Sequence, residues 1–336
     1  MKILIVKLSS LGDVVHAMPA AQDLLRAVPQ AQIDWVVERA FAPLVRRCGG
    51  VNRVIECELR SWRKSPFSLA TRRACEAFKA SLQAERYDAV IDLQGLSKSA
   101  LISWLTRLTP QGQRYGLAGA TTGSSFEAPA RWVADVSFAM GPDVHAVARS
   151  RQLCARVFGY RLPSSEIYGL RAAPQPQAPS VVNPAPRAGR PKVALVHGTS
   201  RADKQWPLAH WQVLGRALNE QGYDIVLPHG NEAEREVAGQ IAQGLAQADI
   251  WPRLALDELT DALAACVGVI GVDSGLSHIA VALDLPHVQI YNFDSAWRTG
   301  PQGSQRQCSV FALPTPSPEA VWQAWQSVSQ ADRGPP

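Results

Sequence analysis

No stretch of this 336-residue chain stays apolar for the roughly 18 residues that a membrane span takes, and the start MKILIVKLSS offers four apolar residues before Lys7, too few for a signal peptide. The chain is therefore expected to remain in the cytoplasm. Cysteine is sparse: Cys48, Cys57, Cys75, Cys154, Cys266 and Cys308 are scattered, with no CxxC pair and no histidine at ligand spacing. That pattern excludes a disulfide scaffold or a zinc module and leaves reduced thiols. GxGxxG is absent from the first half, GxxxxGK[ST] is absent altogether, and no DxD pair is present to hold a divalent ion on a diphosphate. Neither a metal nor a cofactor is expected.

Charge is scarce outside one place. Lys and Arg number 34 against 29 Asp and Glu, for a net charge of +5, and 46% of residues are hydrophobic against 19% charged, which is the composition of a folded globular protein. Between residues 60 and 79 the chain carries Arg60, Arg63, Lys64, Arg72, Arg73 and Lys79 against Glu76 alone, and this segment accounts for the whole excess. Trp62 and Phe67 are interleaved with it, a pattern seen at nucleic-acid interfaces. The remainder is charge-neutral and carries no nucleic-acid motif. A compact acidic partner or an anionic membrane surface is the better match, and no nucleic acid is expected.

Short aliphatic runs alternate with amphipathic stretches. KILIV (2–6), IDWVV (33–37), VNRVIE (51–56) and YDAVIDL (87–93) predict strands, with helices near 14–27, 40–47, 67–84 and 97–107. Dense prolines over 172–191 predict a linker, after which the alternation restarts. KVALVHG (192–198), YDIVLPHG (223–230), VGVIGVD (267–273) and HVQIYN (287–292) predict strands, with helices near 211–222, 233–246, 257–265, 275–284 and 318–329. Continuous aliphatic strands alternating with helices imply parallel sheets covered on both faces. The fold class is α/β: two Rossmann-like domains, 1–171 and 192–315, facing a cleft, and an appended helix and tail over 316–336. Ligands in such sheets bind beyond the carboxyl ends of the strands, so the loops there are the candidate sites.

The first such loop, KLSSLGDVVH (7–16), turns a strand into a helix whose free amides suit an anion; Asp13 is there either as a helix cap or as a general base. The second, HGTSRADKQWP (197–207), places Thr199, Ser200 and Lys204 where hydroxyls and an ammonium suit a phosphate, the alternative being a solvated polar loop. The third, GVDSGLSH (271–278), places Asp273, Ser274, Gly275 and His278 at another helix start, either for an anion or as a plain capped turn. Two anion-competent turns in one domain suit a diphosphate. Glu234 follows a strand where an acid often meets ribose hydroxyls, and is otherwise a solvated helix-start residue.

MKILIVKLSSLGDVVHAMPA, HGTSRADKQWP and VDSGLSHIAVALDLP, in this order and spacing, resemble the ADP-heptose:lipopolysaccharide heptosyltransferases of Gram-negative bacteria, glycosyltransferase family 9, most closely those that add the first heptose. The resemblance runs over nearly the whole chain. It implies a GT-B fold in which the first domain takes the acceptor, the second takes the nucleotide sugar, and the C-terminal helix crosses back to the first. The implied reaction moves L-glycero-D-manno-heptose from ADP-heptose to the first Kdo of Kdo2-lipid A with inversion. The implied workplace is the cytoplasmic face of the inner membrane. A sister transferase adding a later core heptose and a non-catalytic nucleotide-sugar-binding module are the alternatives. By motif, Asp13 corresponds to the base, expected to need only a modestly raised pKa; Thr199, Ser200 and Lys204 to the diphosphate and sugar contacts, Lys204 also stabilising the departing ADP. Asp273 corresponds to the heptose contact, Ser274, Gly275 and His278 to phosphate-side contacts, Glu234 to the ribose acid, and Leu254 to the adenine contact. Arg60, Arg63 and Lys64 correspond to the acceptor's basic patch. After HVQIY the chain departs from the family's Gly-Pro-Thr turn and reads Asn292-Phe293-Asp294-Ser295.

Overall fold

The computed structural model describes residues 1–173 and 189–331. The expected linker falls for the most part, over 174–188, outside the described residues, as does the end of the tail, 332–336. The chain divides into two compact units, Met1–Leu170 and Arg171–Pro336.

In the first unit six parallel strands, β1 (Lys2–Val6), β2 (Gln32–Glu38), β3 (Val51–Cys57), β4 (Arg86–Asp92), β5 (Arg107–Leu117) and β6 (Val136–Phe138), lie in the order β3-β2-β1-β4-β5-β6. The second unit repeats the plan with β7 (Lys192–Val196), β8 (Asp224–Leu227), β9 (Ala248–Ile250), β10 (Gly268–Val272), β11 (His287–Tyr291) and β12 (Gln307–Phe311), in the order β12-β11-β10-β7-β8-β9. Counted within each unit, the order is 3-2-1-4-5-6 both times, so strand order reverses between the first and fourth strands. The loop after β1 carries Asp13, the loop after β7 carries Thr199 to Lys204, and the loop after β10 carries Asp273 to His278. Each motif thus lies at a switch point.

Burial explains the aliphatic runs. Ile3, Leu4, Ile5 and Val6 are all buried because helices cover both faces of the sheet. In the Leu208–Glu220 helix, Trp211, Leu214 and Leu218 recur at helical spacing and enter the second core. The helix at Pro318–Gln330, expected from the resemblance to cross back toward the first domain, places Val321, Trp325 and Val328 in the second unit's own core. Trp325 fits because position 268 is glycine: a Cβ there would sit 2.5 Å from the indole.

Strands β5, β6, β9 and β12 and the helix Ala146–Phe158 carry no aliphatic run and were not expected from the sequence. In β6 and β9 no residue is buried, in β5 only Gly116 and Leu117 and in β12 only Gln307, so none of the four writes a buried aliphatic run.

Candidate active site

In the first unit, β1 delivers Lys7 to the strand end and the chain enters the helix Leu11–Ala27 through Ser10. Asp13, in that helix's first turn, accepts the Ser10 backbone N–H at 3.1 Å and the Ser10 hydroxyl at 2.8 Å on Oδ2. It is therefore the third helical residue of a capping box whose N-cap is Ser10. Its other oxygen, Oδ1, lies 3.4 Å from Lys7 Nζ, and 37% of the side chain remains exposed against 2% for Lys7. One oxygen thus serves the helix entrance and the other meets Lys7, while part of the side chain stays open to solvent.

The electrostatics correct one expectation. Burial works to raise the Asp13 carboxyl, but the Lys7 ammonium, the Ser10 hydrogen bonds and His16 outweigh it and hold it well below its ordinary range, not modestly above. Asp13 is thus ionised at neutral pH and weakly basic. Lys7 is itself pushed down, first by burial and secondarily by Arg149, with Asp13 opposing.

Several residues at this strand end had no motif to announce them. Lys7 also donates to the Leu93 carbonyl at 3.1 Å. Gln94 Oε1 accepts from the amides of Leu8 at 3.1 Å and Ser9 at 3.2 Å, and Lys98 Nζ donates to Ser9 Oγ at 2.9 Å. Glu38, at the end of β2, is buried; burial raises its pKa against the pull of Lys98 and Arg60. Their only sequence signal is position, at the ends of β2 and β4 beside the switch point. Arg60 lies in the short helix Leu59–Trp62, with Arg63 and Lys64 just beyond, and all three are exposed.

The second unit gathers most of its expected residues around Asp273. Lys204 Nζ donates to Asp273 Oδ2 at 2.5 Å, His278 Nε2 lies 3.3 Å from Oδ1, and Gln289 Nε2 donates to Oδ1 at 3.4 Å. Thr199 Oγ1 donates to the Asp273 carbonyl at 3.3 Å. Burial favours the neutral acid, yet His278 and Lys204 together hold the Asp273 carboxyl well below its ordinary value. Ser274 is the N-cap of the helix Gly275–Ala282, but its hydroxyl makes no cap and has no protein partner, so the helix's first amides stay open. The partly buried Lys204 ammonium and the N-terminus of this helix thus lie on the same carboxylate loop.

Glu234 lies on the far side of the Thr199 loop. Its Oε2 accepts from the Gly230 amide at 2.7 Å, and a Cβ at Gly198 would come within 2.8 Å of its carboxyl carbon, so glycine is needed for that approach. Thr199, Trp206, Asn231, Glu234 and Val237 are among the residues lining a cavity of about 510 Å³, within the usual range for a small-molecule site. Ser200 is exposed in the same loop. Leu254 is half-buried between β9 and the helix Leu256–Ala264 and does not line that cavity. Among the described residues, no three His, Cys, Asp or Glu side chains gather as metal ligands, and no helix is long and apolar enough to cross a membrane.

Beneath this cluster, at the start of β11, His287 is fully buried with Nδ1 2.9 Å from the Val269 carbonyl, and burial pushes its pKa down to about 4. A depressed histidine resists protonation that the unfolded chain accepts, so stability falls as pH drops from 6.5 toward 4. The single site contributes about 2 kcal/mol of loss between pH 7 and pH 5. The difference in urea-unfolding free energy between those pH values should therefore shrink by about that amount in His287→Gln; an unchanged difference would refute the assignment.

Two doubly wound units, one with a caged carboxylate at its switch point and the other with a cation and open helix amides, have the GT-B-like organisation of a glycosyltransferase. The chain belongs to glycosyltransferase family 9 (heptosyltransferase), whose profile matches residues 75–322. It is 38% identical over 304 residues to lipopolysaccharide heptosyltransferase 1 of Pseudomonas aeruginosa, spanning 90% of this chain and 82% of that protein. The Escherichia coli heptosyltransferase WaaC, solved with ADP, superposes with a TM-score of 0.83 at 33% identity, covering 96% of this chain and 98% of that one. WaaC with ADP-2-deoxy-2-fluoro heptose gives a TM-score of 0.75 at 33% identity, covering 99% of both chains.

Proposed function

We propose that this transferase moves L-glycero-D-manno-heptose from ADP-heptose to the first Kdo of Kdo2-lipid A. The observation that carries the donor half is the Lys204–Asp273 pair beside the uncapped helix at Ser274, a site for a diphosphate and the sugar attached to it. The solved E. coli relative holds ADP and an ADP-heptose analogue, which supports the same donor. In the reaction a Kdo hydroxyl oxygen attacks the anomeric carbon from the face opposite the diphosphate, the bond from that carbon to the diphosphate oxygen breaks, and ADP leaves with the electron pair. The hydroxyl proton passes to Asp13. Lys204, Thr199, Ser200, the Ser274 hydroxyl and the amide of Gly275 hold the diphosphate, with His278 beside them; Asp273 contacts the heptose, and Glu234 takes the ribose. Leu254 serves the adenine.

Arg60, Arg63 and Lys64 read the acidic groups of the acceptor. Beside them Phe67 is 83% and Leu69 71% exposed, between Lys64 on one side and Arg72 and Arg73 on the other, which suits an anionic bilayer as well as a lipid-linked sugar. The protein thus works at the cytoplasmic face of the inner membrane as a peripheral protein. With ADP-heptose and Kdo2-lipid A it should release ADP, and raising salt from 50 to 500 mM should raise the apparent KM for the lipid several-fold more than that for ADP-heptose, because exposed charges are screened while Lys204 is largely buried. Turnover only on an acceptor that already bears heptose would assign the later transfer instead. ADP-heptose binding with no turnover on either acceptor would make the protein a binding module.

A further inference from the structure

The segment Asn292-Phe293-Asp294-Ser295, where the chain departs from the family turn it resembles, contacts the Lys204 loop directly. Asn292 Nδ2 donates to the main-chain carbonyls of Asp203 at 3.0 Å and Gln205 at 2.8 Å, the residues on either side of Lys204. Its Oδ1 accepts from Thr315 Oγ1 at 2.8 Å, which fixes which way the amide faces. What it holds is a single 3-10 turn, Ala202–Lys204, closed by the Lys204 and Gln205 amides on the Arg201 and Ala202 carbonyls and by the Arg201–Asp203 ion pair, and such turns have poor hydrogen-bond geometry. The Arg201 guanidinium lies 5.6 Å from the centre of the Phe293 ring, a second tie between the same two segments.

Topology gives this contact its meaning. Asn292 directly follows β11 and Asp273 directly follows β10, and these strands are parallel neighbours with Val272 opposite Ile290. The loop bearing the ammonium is therefore clamped to the strand beside the one bearing its carboxylate partner. We propose that Asn292 is a positioning residue that sets where Lys204 projects its ammonium, so that a nucleoside diphosphate meets a cation already in place. It acts through Lys204 and touches no substrate.

This rests on Lys204 being the diphosphate cation, and the test separates the two claims. ADP binding is measured by calorimetry for the unaltered protein, Asn292→Ala, Lys204→Ala and the double variant. Asn292→Ala should weaken ADP binding about tenfold, the scale of one to two net hydrogen bonds, and less than twofold in the Lys204→Ala background, because the two residues act as one unit. Thr315→Val, which frees the amide to rotate, should lose about threefold with the same dependence on Lys204. Equal losses in both backgrounds, or no loss, overturns the positioning role. Failure of Lys204→Ala to weaken ADP binding overturns the reading of Lys204 instead. If Asn292→Ala does not fold, Asn292→Ser, which keeps one donor, and Thr315→Val carry the same comparison.

Discussion

Asp13→Asn should lower kcat for heptose transfer by about 10²–10⁴-fold, the span general-base catalysis commonly contributes, while leaving ADP affinity and the fold in place. Asparagine keeps the shape and can still accept from Ser10 through its carbonyl oxygen, so the helix entrance is retained. What it loses is the charge and the second acceptor facing Lys7. Lys7 is almost completely buried, and a buried ammonium without its carboxylate is costly; burial already lowers its pKa, so it can shed its proton rather than stay charged and unpaired. A modest fall in melting temperature is thus expected beside the large fall in kcat. A variant that keeps more than a tenth of the rate would remove Asp13 from the role of base.

The depressed carboxyl constrains how that base works. A weakly basic carboxylate cannot strip a sugar hydroxyl before attack; it can receive the proton once bond formation to the anomeric carbon has made the oxygen strongly acidic. On the proposed mechanism, departure of ADP is expected to run ahead of proton transfer. The accompanying pH signature is that no acid limb from Asp13 falls between pH 5 and 7, because its carboxyl titrates below its ordinary value. Loss of activity in that window follows other groups, among them the unfolding promoted by His287.

The sheets were legible in the sequence where burial on both faces writes an uninterrupted aliphatic run, as in KILIV and VGVIGV. Strands β5, β6, β9 and β12 lie toward the margins of their sheets, where exposed positions admit Arg, Gln, Ser and Asp and erase the pattern. The site divides in the same way. Asp13, Lys204 and Asp273 stand within the first turns that follow a strand, and that position marks them. Their partners are another matter: Gln94 and Lys98 meet the Leu8-Ser9 backbone or side chain from more than 80 residues away, and Asn292 reaches Asp203 across a separation of 89. No local pattern encodes such contacts. For the same reason the direction of Asp13's shift is not legible in the sequence, since it depends on Lys7 being buried within reach.

Lys204→Ala should lower kcat by about 10²–10³-fold, the usual cost of removing one preorganised group that stabilises transition-state charge. With ADP leaving first, negative charge grows on the diphosphate oxygen before the acceptor bond compensates, and a cation fixed beside Asp273 gains most at that moment. KM for ADP-heptose should rise by about tenfold, much less than kcat falls, since the ground-state diphosphate also has the helix amides at Gly275. Asp273 supplies an internal check. Its carboxyl is held low by His278 and Lys204 against burial, and a group depressed in the folded state stabilises the fold above its unfolded pKa and loses that contribution as pH falls through the folded one. Removing Lys204 moves the folded pKa back up, so the variant should be less stable at pH 7 and the two proteins should converge in acid. Lys204→Arg keeps the charge but not the compact ammonium that meets Asp273 Oδ2 at 2.5 Å, and should recover only part of the rate. A donor with a better leaving group should suffer less from Lys204→Ala than ADP-heptose does. If kcat stayed within threefold and only KM rose, Lys204 would bind the ground state alone, and leaving-group stabilisation would have to come from the helix amides.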